Sequence, residues 1–342
     1  MSVPVSVLMP VLNEESSVTA AVESVLAQEG CDPEVLVVDG RSADCTREAV
    51  CAMVESGRPV RLLDNPAVII PAALNVALRA SSATFVARVD GHAEVSRDYL
   101  ARALRHLAAD PTLAGVGGRR HGVASTRVGR SIAAVMSSRF GVGNSINHYA
   151  TDFQLTDHAS FGVYRTAAAR QVGGWDESLP VNEDVDFDHR LAEAGYRLAY
   201  DPEMVIYWHV RETIGGLIRQ YRRYGRGKAA MVRKNGRTAV RTRHLAPPVL
   251  VLVLALSLAL APFAALSLLV PALYALGVIV VGVATWFHVP ERDQASLVGM
   301  PAAFAATHLG WGLGFLEGLL LGRTPVVASG STRTSTLVDV PS

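Results

Sequence analysis

Short apolar runs alternate with amphipathic stretches over the first two hundred residues, and the chain then turns almost wholly apolar. Val5-Ser-Val-Leu-Met9 reads as a strand that breaks at Pro10, with Val11 to Glu15 as its loop. Val18, Val22, Val25 and Leu26 recur on one face of a helix that ends at Gly30. Glu34 to Val38 is a second strand, opening into the acidic loop Asp39-Gly-Arg-Ser-Ala-Asp44, where Asp44 or Ser42 is placed to cap the next helix. A third apolar run, Phe85 to Val89, ends at Asp90. Farther on, Ser96 is expected to cap a helix reaching about residue 109, and Val116-Gly-Gly-Arg119 to end another strand. Phe187, Leu191 and Ala194 mark a helix that starts after Asn182 and stops at Gly195. This alternation describes an α/β fold, and in a parallel sheet ligands bind beyond the carboxyl ends of the strands.

Candidate chemistry sits at those ends. Asp90, His92 and Glu94 alternate, and a carboxylate and an imidazole at i and i+2 can be presented to one point. Carboxylate oxygen suits Mg²⁺ or Mn²⁺, and an added imidazole tilts the choice toward Mn²⁺. Read alone, Asp90-Gly91 is equally a strand-ending turn. Asp39 stands where a carboxylate can accept hydrogen bonds from a base or ribose. Neither GxGxxG nor GxxxxGK[ST] occurs in the first two loops, so a dinucleotide fingerprint and a P-loop are both excluded there. Glu183, Asp184 and Asp186 have an ordinary explanation as acids in a helix's first turn. Residues 120–158 are rich in Ser, Gly and Asn, and their His121, His148, Asp152, Asp157 and His158 take no assignment.

Composition divides the chain. Of 342 residues half are hydrophobic, and the mean hydropathy of +0.26 is high because the excess lies at one end. No charged side chain occurs from 246 to 287, or from 294 to 316. A span needs about 20 apolar residues. Pro262 and Pro271 divide the first stretch, so three membrane helices are expected at about 247–265, 268–287 and 296–321. The net charge of +1 conceals an asymmetry: residues 211–243 hold eleven Arg or Lys and one acid, Glu212. Such a basic segment beside a span keeps the preceding domain in the cytoplasm and favours anionic headgroups. The N-terminus has no basic region followed by an apolar run, so a secretory signal is not expected. Cys31, Cys45 and Cys51 are odd in number and lack zinc spacing, which fits reduced thiols.

Taken in order, a set of blocks resembles the family 2 inverting glycosyltransferases, nearest the succinoglycan and exopolysaccharide branch. They are Pro10-Val-Leu-Asn-Glu-Glu15, Val38-Asp39-Gly-Arg-Ser42-Ala-Asp44, Leu63-Asp-Asn-Pro66 with Pro71-Ala-Ala-Leu-Asn75, and Arg88-Val-Asp90-Gly-His92-Ala. Gly173-Gly-Trp-Asp-Glu177, Asn182-Glu183-Asp184 and Gln220-Tyr-Arg-Arg-Tyr-Gly-Arg-Gly227 complete the series. His92 replaces the second Asp of the family's usual Asp-X-Asp, and Tyr224 replaces the Trp of its Gln-X-X-Arg-Trp.

The resemblance implies a GT-A nucleotide-sugar-binding fold with a mostly parallel central sheet, followed by C-terminal transmembrane helices. The implied boundaries are a cytoplasmic catalytic domain at 1–210, a basic interfacial segment at 211–245, a membrane region at 246–322 and a polar tail at 323–342. It implies donor and nucleotide binding by Pro10, Val11, Leu12, Glu14, Asp39, Ser42 and Asp90. Asp184 is the implied general base, and Glu183, Gln220, Arg223 and Tyr224 hold the acceptor and diphosphate. Asp90, His92 and His209 are the implied ligands of Mn²⁺ or Mg²⁺. Arg222, Arg226 and Lys228, on the same predicted helix, are expected to face lipid. The implied reaction moves a hexose from a nucleoside diphosphate, UDP foremost, to a polyprenyl-linked saccharide at the cytoplasmic membrane. Nucleic acid is not among the expected partners. A polyprenyl-phosphate sugar synthase, a nucleotidyltransferase and an inactive membrane scaffold are the alternatives.

Overall fold

The computed structural model describes residues 2–236, 242–289 and 294–322. These form two compact units, one of residues 2–121 with 150–208 and one of residues 122–149 with 209–322. The expected polar tail lies outside the described residues, as do Arg237 and Arg241 of the basic segment.

The first unit begins with β1 (Pro4–Val11), α1 (Val18–Leu26), β2 (Asp32–Asp39), α2 (Thr46–Glu55), β3 (Val60–Asp64), α3 (Ile70–Ala80), β4 (Phe85–Arg88) and β5 (Ala93–Val95). α4 (Tyr99–Ala109) and β6 (Leu113–Val123) follow, and the chain passes into the second unit through α5 (Arg127–Met136) and α6 (Arg139–Val142). It returns through β7 (Gln154–Thr156), β8 (Val163–Arg165), α7 (Thr166–Gln171), α8 (Glu183–Glu193) and β9 (Arg197–His209). α9 (Ile214–Asn235), α10 (Thr242–Leu260), α11 (Leu269–His288) and α12 (Gly299–Leu321) complete the second unit.

The sheet runs β3-β2-β1-β4-β8-β6-β9-β5, with β7 beside β9. It is mixed: the expected parallel arrangement holds for β3, β2, β1 and β4, whereas β8 pairs antiparallel with β4. Val5, Val7, Leu8 and Met9 of β1 are all fully buried, as a parallel strand covered on both faces requires. Alternation sends Val5, Val7 and Met9 to a core with Val18, Val22, Val25, Tyr99 and Leu100. Leu8, with Leu36 and Val38, joins Leu74, Trp175, Phe187 and Leu191 on the other face. Each such side chain contributes about 1.5–3 kcal/mol of burial.

Three local expectations are corrected. Ser96 does not cap α4, whose N-cap is Asp98; its hydroxyl instead accepts the Val205 N–H of β9 at 3.3 Å. The strand expected to end at Arg119 runs on to Val123. Gly117 and Gly118 sit within it because neighbouring backbone is close: a Cβ on Gly118 would lie 2.1 Å from the Met204 carbonyl oxygen. Neither Ser42 nor Asp44 is the N-cap of α2, which is Cys45. Asp44 acts one residue earlier, accepting the Thr46 N–H at 3.0 Å.

In the second unit α12 lies against α9 through glycines. An added Cβ would stand 2.0 Å from the Arg222 carbonyl oxygen at Gly314, 3.1 Å from that of Ile218 at Gly310 and 2.5 Å from Ala229 Cβ at Gly318. Small residues spaced by four let two helix backbones approach closely. The arginines expected to face lipid do not all do so. Arg222 Nε and Arg226 Nε donate to Glu317 Oε2 of α12 at 2.9 and 2.8 Å, and Lys228 is buried, its Nζ 3.3 Å from Met231 Sδ. A lone acid on an apolar helix draws the cations inward, because unpaired it would bear a large desolvation cost.

Apolar helices occur where they were expected, broken between Leu260 and Leu269 around Pro262. Two stretches, Ala265–His288 and Gly299–Leu321, are long and apolar enough to cross a membrane. α10 is apolar only over His244–Leu260, about 25 Å at 1.5 Å per residue against a hydrocarbon core of about 30 Å. The expectation of three spans is therefore reduced to two candidates among the described residues. α10 and α11 present Leu256, Leu273 and Leu276 as exposed side chains, and Phe263 in the segment between them is exposed as well.

Gly314→Val should lower the thermal unfolding midpoint of the detergent-solubilised protein by several degrees, since overpacking of this kind costs roughly 1–3 kcal/mol. Gly277→Val, at a position with nothing within 4 Å of an added Cβ, serves as the comparison. Equal midpoints for the two variants would remove the close α9–α12 approach.

Candidate active site

The carboxyl ends of β1, β2 and β3 stand in register, with Val11 opposite Asp39 and Asp39 opposite Asp64. The loops beyond them interlock. Asn13 N–H donates to Ser42 Oγ at 2.9 Å, and Ala43 N–H returns a bond to Asn13 Oδ1 at 2.7 Å. Asn13 and Arg41 have φ of 55° and 63°, which turns both loops sharply. Glu14 N–H donates to Thr46 Oγ1 at 2.7 Å, and Glu15 N–H to Asp44 Oδ2 at 3.1 Å. Asp39 is buried, and its Oδ1 accepts from the N–H and hydroxyl of Ser42 at 3.1 and 2.6 Å. Arg47 Nη1 joins Asp64 Oδ1 at 2.7 Å and Asp39 Oδ2 at 3.4 Å. Asp39 and Ser42 thus form one rigid corner. Pro10, Val11 and Leu12 lead into it, with Gly40 N–H bonded to the Val11 carbonyl at 2.9 Å.

β4 supplies the second group. Arg88 Nε donates to Asp90 Oδ1 at 2.9 Å and Arg88 Nη1 to Glu183 Oε1 at 2.9 Å. One guanidinium therefore ties the end of β4 to the start of α8. His92 places Nδ1 2.8 Å from Glu14 Oε1. Gly91 lets this turn press on β1, because a Cβ there would lie 2.6 Å from Val11 Cγ1. Burial works to raise Asp90, but Arg88, His92 and Arg120 outweigh it and hold the carboxyl below its ordinary range. Among the described residues no three His, Cys, Asp or Glu side chains gather as a metal cage. By chemistry alone, a carboxylate and an imidazole such as Asp90 and His92 suit a divalent cation that shares substrate phosphates, since Mg²⁺ is commonly held by one or two carboxylates and a phosphate.

α8 brings the third group. Asn182, with φ of 63°, turns the chain so that Glu183 and Asp184 open the helix. Burial and the neighbouring Asp184 raise Glu183 to about 7, against the pull of Arg88. Burial also works to raise Asp184, but His158, Arg88 and Arg120 reverse it, helped by the Val185 N–H at 2.8 Å, and keep it ionised. Of these two adjacent acids, Glu183 is buried and tied to Arg88, whereas Asp184 stays partly exposed and ionised.

Four contributors went unassigned in the sequence. Arg88 lies two residues before Asp90, and period-two spacing along a strand signals that relation. Asp188 lies four residues after Asp184, the same-face spacing of a helix. His158 has no local signal, because its partners Asp184 and Asp188 are far away in the chain. Arg120 stacks over Phe161 and Trp208, with its guanidinium 5.2 and 4.8 Å from the ring centres.

Gln220, Arg223 and Tyr224 lie in the second unit on α9. Gln220 Nε2 donates to the Tyr224 hydroxyl at 3.0 Å, and the Arg223 guanidinium lies 6.0 Å from the Tyr224 ring centre. Gln220 Oε1 and Arg223 Nε are buried with no hydrogen-bond partner among the described residues. His209 closes β9 in the same unit.

Residues 6–172 match the profile of glycosyl transferase family 2. The succinoglycan biosynthesis protein ExoA of Rhizobium meliloti is 30% identical over 327 residues, which is 92% of this chain and 94% of that protein. A dolichyl N-acetyl-alpha-D-glucosaminyl phosphate 3-beta-D-2,3-diacetamido-2,3-dideoxy-beta-D-glucuronosyltransferase of Methanococcus voltae is 25% identical over 67% of this chain and 74% of its own. Among solved structures, the mannosyltransferase PcManGT of Pyrobaculum calidifontis, in complex with GDP-Man and Mn²⁺, superposes with a TM-score of 0.62. It covers 94% of this chain and 89% of its own at 22% identity, and the shared fold is GT-A.

Arg88→Met leaves Asp90 and Glu183 buried without their cation, a change that costs about 3–5 kcal/mol. The urea midpoint should fall accordingly at pH 7.5. The deficit should shrink toward pH 5, where both acids, freed of the guanidinium, take up protons and no longer bury charge. A pH-independent deficit would remove Arg88 as the charge that holds them.

Proposed function

The chain belongs to glycosyl transferase family 2, and on that premise we propose that it is an inverting hexosyltransferase acting on a lipid-linked saccharide. The observation that carries this is the pairing of an ionised Asp184 at the start of α8 with the Arg88–Asp90 pair at the end of β4. The donor's nucleotide lies at the corner of Pro10, Val11, Leu12, Glu14, Asp39 and Ser42, and its hexose lies toward Asp184. Asp184 takes the proton of the acceptor hydroxyl as that oxygen attacks the anomeric carbon, while the bond to phosphate breaks on the opposite face. One displacement inverts the centre and needs no covalent intermediate. Asp90 and His92, with His209 as a further candidate ligand, would hold the divalent cation, Mn²⁺ or Mg²⁺. When bound, it neutralises the departing diphosphate. Glu183 is buried and engaged by Arg88 Nη1 at 2.9 Å, which commits its carboxyl to that pair and leaves the base role to Asp184.

Gln220, Arg223 and Tyr224 hold the acceptor side, a reading supported by the buried Gln220 Oε1 and Arg223 Nε that lack protein partners among the described residues. The exposed apolar faces of α10 and α11 and the basic segment support attachment to the cytoplasmic membrane, with the catalytic unit on the cytoplasmic side. Such a location suits an acceptor carried on a polyprenyl chain. Exopolysaccharide or envelope glycan synthesis is the setting that fits.

A screen of UDP- and GDP-sugars against lipid extracted from membranes should register nucleoside diphosphate release with one donor, UDP-hexose being expected. Release only with bare polyprenyl phosphate would exchange the saccharide acceptor for the phosphate. Asp184→Asn should keep donor affinity within a few fold while kcat falls by about 10²–10⁴, the usual contribution of a general base. Near-normal turnover in that variant would place the base elsewhere. Asp90→Ala should abolish the Mn²⁺-dependent part of UDP binding in calorimetry, whereas unchanged affinity would take Asp90 out of the cation site.

A further inference from the structure

His158, partly buried, lies between two carboxylates of α8, one turn apart. Its Nδ1 lies 2.7 Å from Asp188 Oδ2, and its Nε2 lies 3.6 Å from Asp184 Oδ2. Asp188 is wholly buried and anchored from three sides, since it also accepts the Ala159 N–H at 2.8 Å and the Tyr164 hydroxyl at 2.9 Å. Tyr164 is fixed in turn, its hydroxyl 2.9 Å from the Ala159 carbonyl and its ring edge-on to Phe187. The series Tyr164, Asp188, His158 therefore ends on the carboxylate read above as the base.

We propose that His158, oriented by Asp188, is a positioning residue that holds Asp184 in its proton-accepting rotamer and keeps it ionised until the acceptor hydroxyl arrives. The inference rests on the reading of Asp184 as base. Asp188 accepts the hydrogen bond from Nδ1–H, which leaves Nε2 to face Asp184; with both nitrogens protonated the imidazolium pairs with both acids. Burial disfavours that charge, but Asp188 and Asp184 outweigh it and raise the imidazole above its ordinary range. Burial likewise raises Asp188 despite its three donors. The charged groups facing Asp184 are His158, Arg88, Arg120 and Glu183; those facing His158 are Asp188, Asp184 and Arg120. In the transfer step the acceptor's proton stops on Asp184. None passes to His158, which already carries two. Removing the imidazolium takes away a cation and a steric support together, so Asp184 becomes easier to protonate and freer to turn.

His158→Gln is expected to lower kcat by roughly 10- to 100-fold with donor KM within about threefold, and to move the acid limb of the kcat/KM profile upward by about one pH unit. Tyr164→Phe, which keeps the ring, should reproduce a weaker form of the same change and guards against a His158→Gln chain that fails to fold. A direct readout is the ¹⁵N imidazole titration of His158 in the full-length protein in detergent. It should hold its second proton above the usual imidazole midpoint of about 6.5, and that midpoint should fall in Asp184→Asn and in Asp188→Asn. If Asp184→Asn is inactive while His158→Gln and Tyr164→Phe keep wild-type kcat and acid limb, the positioning role is overturned and the base stands. If Asp184→Asn itself turns over normally, both fall. A His158 midpoint insensitive to the two carboxylate variants overturns the proposal independently of any activity.

Discussion

A single buried guanidinium organises the catalytic unit. Arg88 leaves the sheet at the end of β4 and bonds Asp90 on its own turn and Glu183 at the start of α8. Three acids, Asp90, Glu183 and Asp184, would repel one another in a low-dielectric interior without a cation among them. With Arg88 in place these three carboxylates coexist within one small volume. The same cation divides the adjacent acids into roles. Glu183 is deeply desolvated and rises to about 7, while Asp184 gains His158 and Arg120 as well and stays ionised.

The corner beyond β1, β2 and β3 depends instead on hydrogen bonds that interlock its loops, with Arg47 paired to Asp39 and Asp64 beside them. Asn13 and Ser42 bridge two loops reciprocally, and the positive φ of Asn13 and Arg41 makes that crossing possible. Asp39 uses one oxygen to secure Ser42, which fixes the corner before any ligand arrives. The second unit follows a third rule. Backbone-to-backbone contact through Gly310, Gly314 and Gly318 allows α12 to lie on α9, and Glu317 is satisfied there by Arg222 and Arg226. Charge inside an otherwise apolar helix is thereby matched to the basic helix it packs against.

Much of this was determined by local sequence. The apolar runs of β1 and β2, the acidic loop after Val38, the start of α8 after Asn182 and the apolar C-terminal helices depend on neighbours within a few residues, and hydrophobic patterning reports them directly. The blocks around Asp39, Asp90, Asp184 and Gln220 likewise occur as continuous strings, so the family and its fold were legible. What local pattern could not supply was pairing across distance. His158 sits in an unassigned stretch and acquires meaning only when α8 brings Asp184 and Asp188 to it. Ser96 looked like a cap until β9 arrived to claim its hydroxyl. Arg222 and Arg226 looked like lipid-facing charges until α12 presented Glu317. Periodicity encodes which face of an element is apolar, whereas the partner of a buried polar group is chosen by the packing of elements remote in sequence, because only burial makes an unpaired charge costly enough to decide the matter.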